Sequence, residues 1–474
     1  MTDMQPLWKL GAAQLHEAYR RGTLTPRQVA EAALRHLDEI NPALNALVHV
    51  RREGFLSDAS ASSERFAAGR PLGDLDGIPI SIKDNLLTAD MPTTWGCRAL
   101  RGHLDPRDEV AVARARSSGA LLLGKTNVPE FTLEGYTSNQ LFGTTRNPWN
   151  LALTPGGSSG GAVASVAAGI TPLALATDGG GSIRRPASHT GLVGFKPSIG
   201  ALAREHGLPS LLLDFEVVGP IARTVADVKL MFGALRGPSA ADRSSLAAAQ
   251  AMALQRSRPA SPLRVLYVER FGDAPLDPQI AASVRAGVGR LASLGHQVEQ
   301  GALPLDLGFF SEAWPQIGQT GLAALFQRHP QWRDGANPKY LEMAAQGERL
   351  PAARLWEIID RVEVLRCDAA ALFERIDVVV TPAAAALPWP AEQAYPAQID
   401  GREVGPRGHA VYTGWVNAAG LPGLALPCQP SAEGLPIGMQ LVGAYGADEL
   451  LLDLGASYEA AAPWSGRWPA LALG

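Results

Sequence analysis

Cysteine, long apolar segments and an excess of charge of one sign are all scarce in this sequence of 474 residues. The three cysteines, Cys97, Cys367 and Cys428, lie far apart and form no CxxC pair. This spacing argues against a disulfide framework and against a zinc site with cysteine ligands. No segment of about 20 apolar residues occurs, so we expect no membrane-spanning helix. The sequence predicts no metal site.

The charge balance is nearly even. Lysine and arginine number 42, aspartate and glutamate number 46, and the formal net charge is −4 without a long run of either sign. Phosphate backbones are bound by clustered basic residues, so we expect no direct contact with nucleic acid. A partner protein that carries RNA is not excluded. The N-terminus lacks the apolar segment of a signal peptide, and we therefore expect a cytoplasmic protein.

Glycine and proline are abundant, with 50 and 36 residues, and many lie in short clusters between apolar runs. Such clusters are typical of an enzyme whose site is built from loops on a sheet. The apolar runs 78–82, 120–123 and 172–176 alternate with helical patterns. This alternation predicts the α/β class, as a single large domain with a central mixed, mostly parallel β-sheet flanked by helices on both faces.

One domain is expected over residues 1–474, because no internal repeat and no linker composition divides the chain. Strand patterns at 378–380 and 436–442 indicate that the chain returns to the sheet near its C-terminus. The domain then has four parts: N-terminal helices at 1–65, a core at 70–220, a mainly helical, cap-like region at 230–375, and a C-terminal part at 376–474 that rejoins the sheet.

The first of three glycine motifs, residues 119–126, matches the phosphate-loop pattern GxxxxGK[ST]. A phosphate loop needs a flexible turn between a strand and a helix. The four variable positions here are Ala-Leu-Leu-Leu, which are typical of the inside of a strand. We therefore interpret this segment as the end of a strand.

The second motif, residues 156–160, satisfies GxSxG, the nucleophile elbow of α/β-hydrolases, with Ser158 in the serine position. An anion-binding turn and simple tight packing are the alternatives.

The third motif, residues 177–186, contains Gly179, Gly180 and Gly181 directly before Ser182. Consecutive backbone N–H groups without side chains suit an oxyanion hole beside a nucleophile. A turn that binds a cofactor phosphate is the alternative. A dinucleotide fold is disfavoured, because Arg184 occupies the last glycine position of GxGxxG.

A serine nucleophile needs a base, which is usually histidine. The nine histidines are scattered, and none has a recognisable catalytic setting. Lys83 ends the apolar run 78–82, where loss of solvation lowers the pKa of an amine and makes its neutral form accessible as a base. The alternative is a lysine whose ammonium pairs with a carboxylate such as Asp84.

Several motifs in a fixed order together resemble the amidase signature family. The resemblance is dense from about residue 70 to 200 and thin as far as residue 443. The motifs are GIPISIKDN at 77–85, GKTN at 124–127, FGTTRNPW at 142–149, PGGSSGG at 155–161, TDGGGSIRRP at 177–186, GLVGFKP at 191–197, TP at 381–382, NAAGLP at 417–422 and the segment 434–443.

The resemblance implies a catalytic triad of Lys83, Ser158 and Ser182. In such enzymes the second serine is the nucleophile, the first relays protons and follows a cis peptide bond, and the lysine is the base. The implied oxyanion donors are the backbone N–H groups of Gly179, Gly180, Gly181 and Ser182. Positions expected to bind substrate or to support the site are Asn139, Thr154, Gly157, Asp178 and Arg184, of which Asp178 and Arg184 are expected to brace the glycine loop.

The implied function is hydrolysis of a small-molecule carboxylic amide to an acid and an amine or ammonia, through an acyl-enzyme on Ser182 and without a cofactor. A homodimer is kept open. One alternative is the A subunit of glutamyl- or aspartyl-tRNA amidotransferase, a glutaminase that supplies ammonia, although residues 351–356 do not resemble that subunit strongly. A second alternative is an esterase of the α/β-hydrolase type with Ser158 as nucleophile, and a third is a scaffold without catalysis.

Overall fold

The computed structural model describes residues 6–255 and 262–470. Its centre is an eleven-stranded sheet in the order β1-β3-β2-β6-β8-β7-β14-β15-β11-β9-β10, and β4–β5 and β12–β13 form two small separate ribbons. The strands are β1 Leu47–Val50, β2 Pro79–Lys83, β3 Leu121–Thr126, β4 Ser138–Asn139, β5 Gly143–Thr144, β6 Leu173–Asp178, β7 Val193–Lys196, β8 Val217–Ala222, β9 Arg264–Tyr267, β10 Gln297–Gln300, β11 Val378–Pro382, β12 Gln398–Ile399, β13 Arg402–Glu403, β14 Gly423–Pro427 and β15 Gly438–Gly443.

Helices connect and cover these strands. In the described ranges they are α1 Ala12–Arg20, α2 Pro26–Leu44, α3 Arg52–Ala67, α4 Val110–Ser117, α5 Gly160–Ala167, α6 Arg184–Thr190, α7 Val225–Leu235, α8 Arg243–Gln255, α9 Pro278–Ser293, α10 Gly308–Arg328, α11 Pro338–Glu348, α12 Ala352–Arg375, α13 Gly414–Ala418 and α14 Asp448–Ala461. Within the same ranges, no helix combines the length and the apolar character that a membrane span requires.

Both faces of the sheet are buried, which the central strands show directly. In β6, Leu173 and Leu175 belong to one apolar cluster, whereas Ala174 and Ala176 belong to another. Successive side chains of a strand point to opposite faces, so each cluster lies on one side of the sheet. The uninterrupted apolar runs of the sequence are thus strands buried on both faces, and the expected α/β class is confirmed.

The balance of strand directions differs from the expectation of a mostly parallel sheet. Four neighbouring pairs are parallel and six are antiparallel. A parallel neighbour needs a long crossover, which is usually a helix. The connections 197–216 and 428–437 contain no α-helix, and the strands that they join, β7 with β8 and β14 with β15, run antiparallel.

Among its described residues, the region 230–375 contains five α-helices that lie wholly inside it, α8 to α12, and also the strands β9 and β10 at one edge of the main sheet. The helical patterns of the sequence did not reveal these two short strands. The part after residue 376 supplies β11, β14 and β15 to the same sheet.

The register of the central strands brings chemically important residues to one edge. Strands β2 and β6 are parallel neighbours, with Ile82 opposite Leu175. The carboxyl ends of parallel neighbours meet at the same edge of a sheet, where sites are commonly built. This edge therefore receives Lys83 from β2 together with Thr177 and Asp178 from β6.

Leu122→Ala is expected to destabilise the protein strongly. Leu122 is fully buried in β3, beside the strand that ends at Lys83. Loss of a buried leucine side chain costs about 2–5 kcal/mol, because a cavity adds to the lost transfer free energy. The measurement is the midpoint of denaturant unfolding. Leu72→Ala, the same change at a side chain that is 56% exposed, is the control and should leave the midpoint nearly unchanged. Equal shifts for both variants would contradict the described packing.

Candidate active site

Lys83 lies fully buried at the end of β2, and its amine contacts three polar atoms of two residues. Its Nζ donates to Ser158 Oγ at 2.9 Å, to the carbonyl oxygen of Thr177 at 2.9 Å and to Thr177 Oγ1 at 3.0 Å. The contact with Ser158 also suits the reverse transfer, in which a neutral amine accepts the hydroxyl proton. The strand ends thus bring Lys83 and the first candidate serine into direct contact.

The pKa of Lys83 is lowered to about 7. Burial is the largest cause, since it disfavours the charged amine. The negative charges of Glu216 and Asp178 act in the opposite direction, and the positive charge of Arg204 lowers the pKa further. Near neutral pH a large fraction of this amine is neutral.

Asp84 does not pair with Lys83. Its carboxylate accepts hydrogen bonds from the backbone N–H of Thr94 and lies 3.9 Å from the Nζ of Lys125. Lys125 itself is buried and donates to Thr93 Oγ1 at 2.7 Å. The lysine of the phosphate-loop pattern is therefore engaged inside the protein, and residues 121–126 form a strand, as the sequence indicates.

Ser158 and Ser182 come from neighbouring loops that contact each other. The peptide bond between Gly157 and Ser158 is cis, and helix α5 begins shortly after it. The backbone N–H of Ser159 donates to the carbonyl oxygen of Ser182 at 3.3 Å. Lys83 is 0% exposed, Ser158 1% and Ser182 7%, so accessibility increases in the order lysine, first serine, second serine.

The glycine loop, residues 179–182, is held by the carboxylate of Asp178. The N–H of Gly181 donates to Asp178 Oδ1 at 2.7 Å, and that of Ile183 donates to Oδ2 at 3.0 Å. In the part of the chain that the structure describes, no hydrogen bond engages the N–H groups of Gly179, Gly180 and Ser182. Three of the four donors that the sequence predicts are therefore free, and the N–H of Gly181 is occupied.

Glycine is required at position 181. Its φ is +115°, which side chains rarely allow, and an added Cβ would lie 2.2 Å from Thr413 Oγ1. That hydroxyl donates to the carbonyl oxygen of Gly180 at 2.8 Å. The loop is thus fixed from both sides, by Asp178 and by Thr413.

Asp178 and Arg184 form a buried ion pair, with Arg184 Nη2 at 2.8 Å from Asp178 Oδ1 and both side chains fully buried. Burial alone would raise the pKa of Asp178, but the charge and hydrogen bonds of Arg184 lower it well below its usual range. Arg184 also donates to Gln440 Oε1 and to Asn417 Oδ1, each at 2.5 Å. These contacts support the expectation that the pair braces the glycine loop.

Several supporting residues were not singled out from the sequence: Thr177, Thr413 and Gln440. Asn417 begins the motif at 417–422, and its side chain donates to the carbonyl oxygen of Asp178 at 2.8 Å. The motif at 417–422 is the feature of the sequence that could have identified Asn417 as part of the site. For Thr413 no signal existed, because its role depends on a contact between residues more than 200 positions apart.

Asn139, Thr154 and Gly157 differ in their relation to the site, and only Gly157 directly precedes a triad residue. The side chain of Asn139 donates to Val128 O and accepts from the N–H of Leu141, so it joins its own loop to the segment after β3. Thr154 Oγ1 accepts from the N–H of Gly156 at 3.1 Å. At Gly157 an added Cβ would lie 2.4 Å from the carbonyl oxygen of Tyr136, which explains the need for glycine.

The two histidines nearest the site in sequence or space have other contacts. His189 Nε2 contacts the carbonyl oxygen of Ala386 at 3.2 Å, and His409 Nε2 accepts from Arg185 at 3.1 Å. Neither ring hydrogen-bonds to Ser158 or Ser182 in the described structure. A serine–histidine arrangement is therefore absent from these residues.

The chain is similar to known proteins over nearly its whole length. A sequence model of the family described as Amidase matches residues 28–452. An acylamidase of Rhodococcus erythropolis is 34% identical over 100% of this chain and 99% of its own length. The A subunit of the glutamyl-tRNA(Gln) amidotransferase of Cyanothece sp. is 32% identical over 97% of this chain and 99% of its own length.

Two solved structures have a similar fold. A bacterial aryl acylamidase of the amidase signature enzymes gives a TM-score of 0.88 at 29% identity, with 98% of each chain covered. The 6-aminohexanoate cyclic dimer hydrolase complexed with substrate gives 0.87 at 29% identity, over 98% of this chain and 100% of the other. The chain belongs to the amidase signature family. It is a hydrolase that acts on amide bonds.

Asp178→Asn is expected to destabilise the protein markedly, since it leaves the buried guanidinium of Arg184 without its counter-charge. Breaking a buried ion pair from one side costs about 3–5 kcal/mol. The measurement is the shift of the thermal unfolding midpoint. Asp453→Asn is the matched control, because Asp453 pairs with Lys229 at the surface and such pairs contribute little. A midpoint for Asp178→Asn equal to that of the control would contradict the bracing role.

Proposed function

We propose that this enzyme cleaves small-molecule carboxylic amides through an acyl-enzyme on Ser182, with Ser158 as proton relay and Lys83 as base. The observation that carries the proposal is the 2.9 Å contact between Lys83 Nζ and Ser158 Oγ, beside a loop that presents Ser182. The depressed pKa of Lys83, to about 7, supports a base that works near neutral pH.

The reaction begins with proton transfer. Neutral Lys83 accepts the proton of Ser158, and Ser158 accepts that of Ser182. Ser182 Oγ then attacks the amide carbonyl carbon and forms a tetrahedral intermediate. Ser158 delivers its proton to the leaving amine and takes back the proton held by Lys83, the C–N bond breaks, and the acyl group stays on Ser182. Water activated by the same relay releases the acid and restores the hydroxyl.

The oxyanion is stabilised by the backbone N–H groups of Gly179, Gly180 and Ser182. These donors are fixed before the substrate arrives, because Asp178 and Thr413 hold the loop. Removal of one such donor typically costs about 3–4 kcal/mol of transition-state stabilisation. The Gly181 N–H fixes the loop and does not bind the oxyanion.

Glutamine hydrolysis that supplies ammonia within an amidotransferase is the second candidate. It is favoured by the 32% identity with the A subunit of the Cyanothece enzyme over nearly the whole chain. Hydrolysis of simple amides by the isolated chain favours the stand-alone amidase. Glutamine hydrolysis that depends on a co-purifying partner protein favours the second candidate.

The four parts of the chain are proposed to form one amidase domain, because strands from 1–65, 70–220, 230–375 and 376–474 all enter one sheet. A homodimer and a cytoplasmic location stay predictions from the sequence.

Ser182→Ala is expected to lower kcat for an amide by about 10⁴-fold or more, since no nucleophile remains. A fluorophosphonate probe should label the wild type and fail to label this variant. Ser158→Ala is the matched control. It keeps Ser182 and should retain slow labelling, with a loss of turnover that reflects the missing relay. Loss of labelling in Ser158→Ala and its retention in Ser182→Ala would favour the esterase alternative.

The value of kcat/KM is expected to rise with pH and to reach half of its plateau near pH 7. A lysine with a pKa of about 7 acts as a base when it has lost its proton, so activity falls as the pH drops below that value. The measurement is the hydrolysis rate of a neutral amide from about pH 5.5 to about 9, with circular dichroism as a control for folding. A rate that is flat or falls with increasing pH across this range would contradict Lys83 as base.

A further inference from the structure

A large apolar cavity lies next to the glycine loop. Its volume is about 600 Å³, and apolar side chains, leucines and aromatics among them, form most of its wall. Examples are Leu303, Leu305, Leu307, Phe310, Trp314 and Trp415. Such a volume suits a small organic ligand.

The cavity adjoins the glycine loop through two residues. The ring of Trp314 packs against Gly180, where an added Cβ would lie 2.7 Å from Cζ2. Thr413, which donates to the carbonyl oxygen of Gly180, is followed directly by Gly414 in the cavity wall. The cavity therefore borders the glycine loop at Gly180. Ser182 is not part of the wall.

The charged side chains of the cavity wall are cationic. Arg407 and Arg270 belong to the wall, and none of its described residues is an aspartate or a glutamate. Within the described ranges, the guanidinium of Arg407 forms no ion pair, and its one partner is the ring of Trp314, 4.7 Å from its centroid.

Arg185 adds a second uncompensated charge between this cavity and the loop. It is buried, and it donates to the carbonyl oxygen of Gly181 at 3.4 Å and to His409 Nε2 at 3.1 Å, both of which are neutral acceptors. Burial lowers the pKa of Arg185 to about 10 and, with the charge of Arg185, that of Arg407 to about 9. Both guanidinium groups are thus charged at neutral pH.

Charges inside proteins are normally paired, because an unpaired buried ion loses its hydration without compensation. The carboxylate nearest Arg185 among its electrostatic partners is Asp178, which is already occupied by Arg184 and Asn417. Arg407 is half-buried, and stacking on Trp314 compensates its charge only in part. An anion from outside the chain would complete the site.

We propose that this cavity binds the carboxylate and apolar chain of an amide substrate, with Arg407 as the carboxylate-binding residue and the amide reaching past Trp314 to Ser182 at the glycine loop. A guanidinium can bind a carboxylate through two parallel hydrogen bonds. The apolar wall then takes the hydrocarbon chain between the carboxylate and the amide. This inference rests on the proposed function, and it names the substrate class of the same site.

The test compares matched amides that differ in one charge. The first pair is the mono-p-nitroanilide of adipic acid and its methyl ester, which places the carboxylate on the acyl side. The second pair is N-hexanoyl-4-aminobenzoate and its methyl ester, which places it on the amine side. In one of the two pairs, the wild type should hydrolyse the carboxylate with a higher kcat/KM than the methyl ester. Arg407→Gln should lower this preference, as the ratio of kcat/KM values, by about 10- to 100-fold.

Two control variants separate the effect of the positive charge at position 407 from the effect of substituting any arginine in this part of the chain. Arg407→Lys should retain part of the preference, because it keeps the charge without the two parallel donors. Arg402→Gln is the same substitution at an exposed arginine near Asp273 and should leave the ratio at the wild-type value. If Arg407→Gln leaves the ratio of kcat/KM for carboxylate and methyl ester unchanged in both pairs, the inference is overturned, even when the amides are hydrolysed.

Binding to Ser182→Ala separates this inference from the proposed function. Calorimetric titration with the carboxylate member of each pair should show, for at least one of them, binding that weakens about 10- to 100-fold when Arg407→Gln is added. If the wild type hydrolyses none of the amides but this binding is found, the cavity assignment holds and the proposed catalysis fails. If Arg407→Gln leaves the binding unchanged, or if neither carboxylate binds, the cavity assignment is wrong.

Discussion

The hydrogen bond between Lys83 and Ser158 joins the parts of the chain on which the site depends. Lys83 ends β2, Ser158 precedes α5, and Thr177, which accepts two further hydrogen bonds from the amine, lies at the end of β6. The amine is fully buried, so its pKa falls toward 7 and its neutral form becomes available. Because the lysine is anchored at a strand end, the geometry of the relay follows from the register of the sheet.

The same edge of the sheet carries a second, charged interaction that fixes the glycine loop. Asp178 binds the N–H of Gly181 and the guanidinium of Arg184, and Arg184 reaches Asn417 and Gln440 in the C-terminal part. Residues more than 200 positions apart thereby hold one loop. Free backbone donors at this loop can then face a developing oxyanion without rearrangement, which is the condition for electrostatic stabilisation of a transition state.

The sequence predicted what depends on local patterns and ordered motifs. The cap of α2 is an example: Thr25 followed by Pro26 and Gln28 is the pattern of a helix start, and Thr25 Oγ1 accepts from the N–H of Gln28. The pair Asn41-Pro42 is typical of a helix end, but the helix continues through Pro42 to Leu44 and ends at Asn45 with φ +52°. Three features could not be predicted from the sequence: the relative directions of the strands, the role of Thr413 in holding the glycine loop, and the lack of counter-ions at the arginines. Each depends on which distant segments come into contact.

The central claim is that Ser182 carries the acyl group during turnover. Rapid acid quench of the enzyme with an excess of a p-nitroanilide, followed by mass spectrometry, tests it most directly. Trypsin cuts after Arg146 and Arg184, so Ser158 and Ser182 share the peptide 147–184, and fragment ions between them locate the added mass. The account predicts the acyl group on Ser182 with Ser158 unmodified. An acyl group on Ser158, or turnover without any acylated serine, would contradict it.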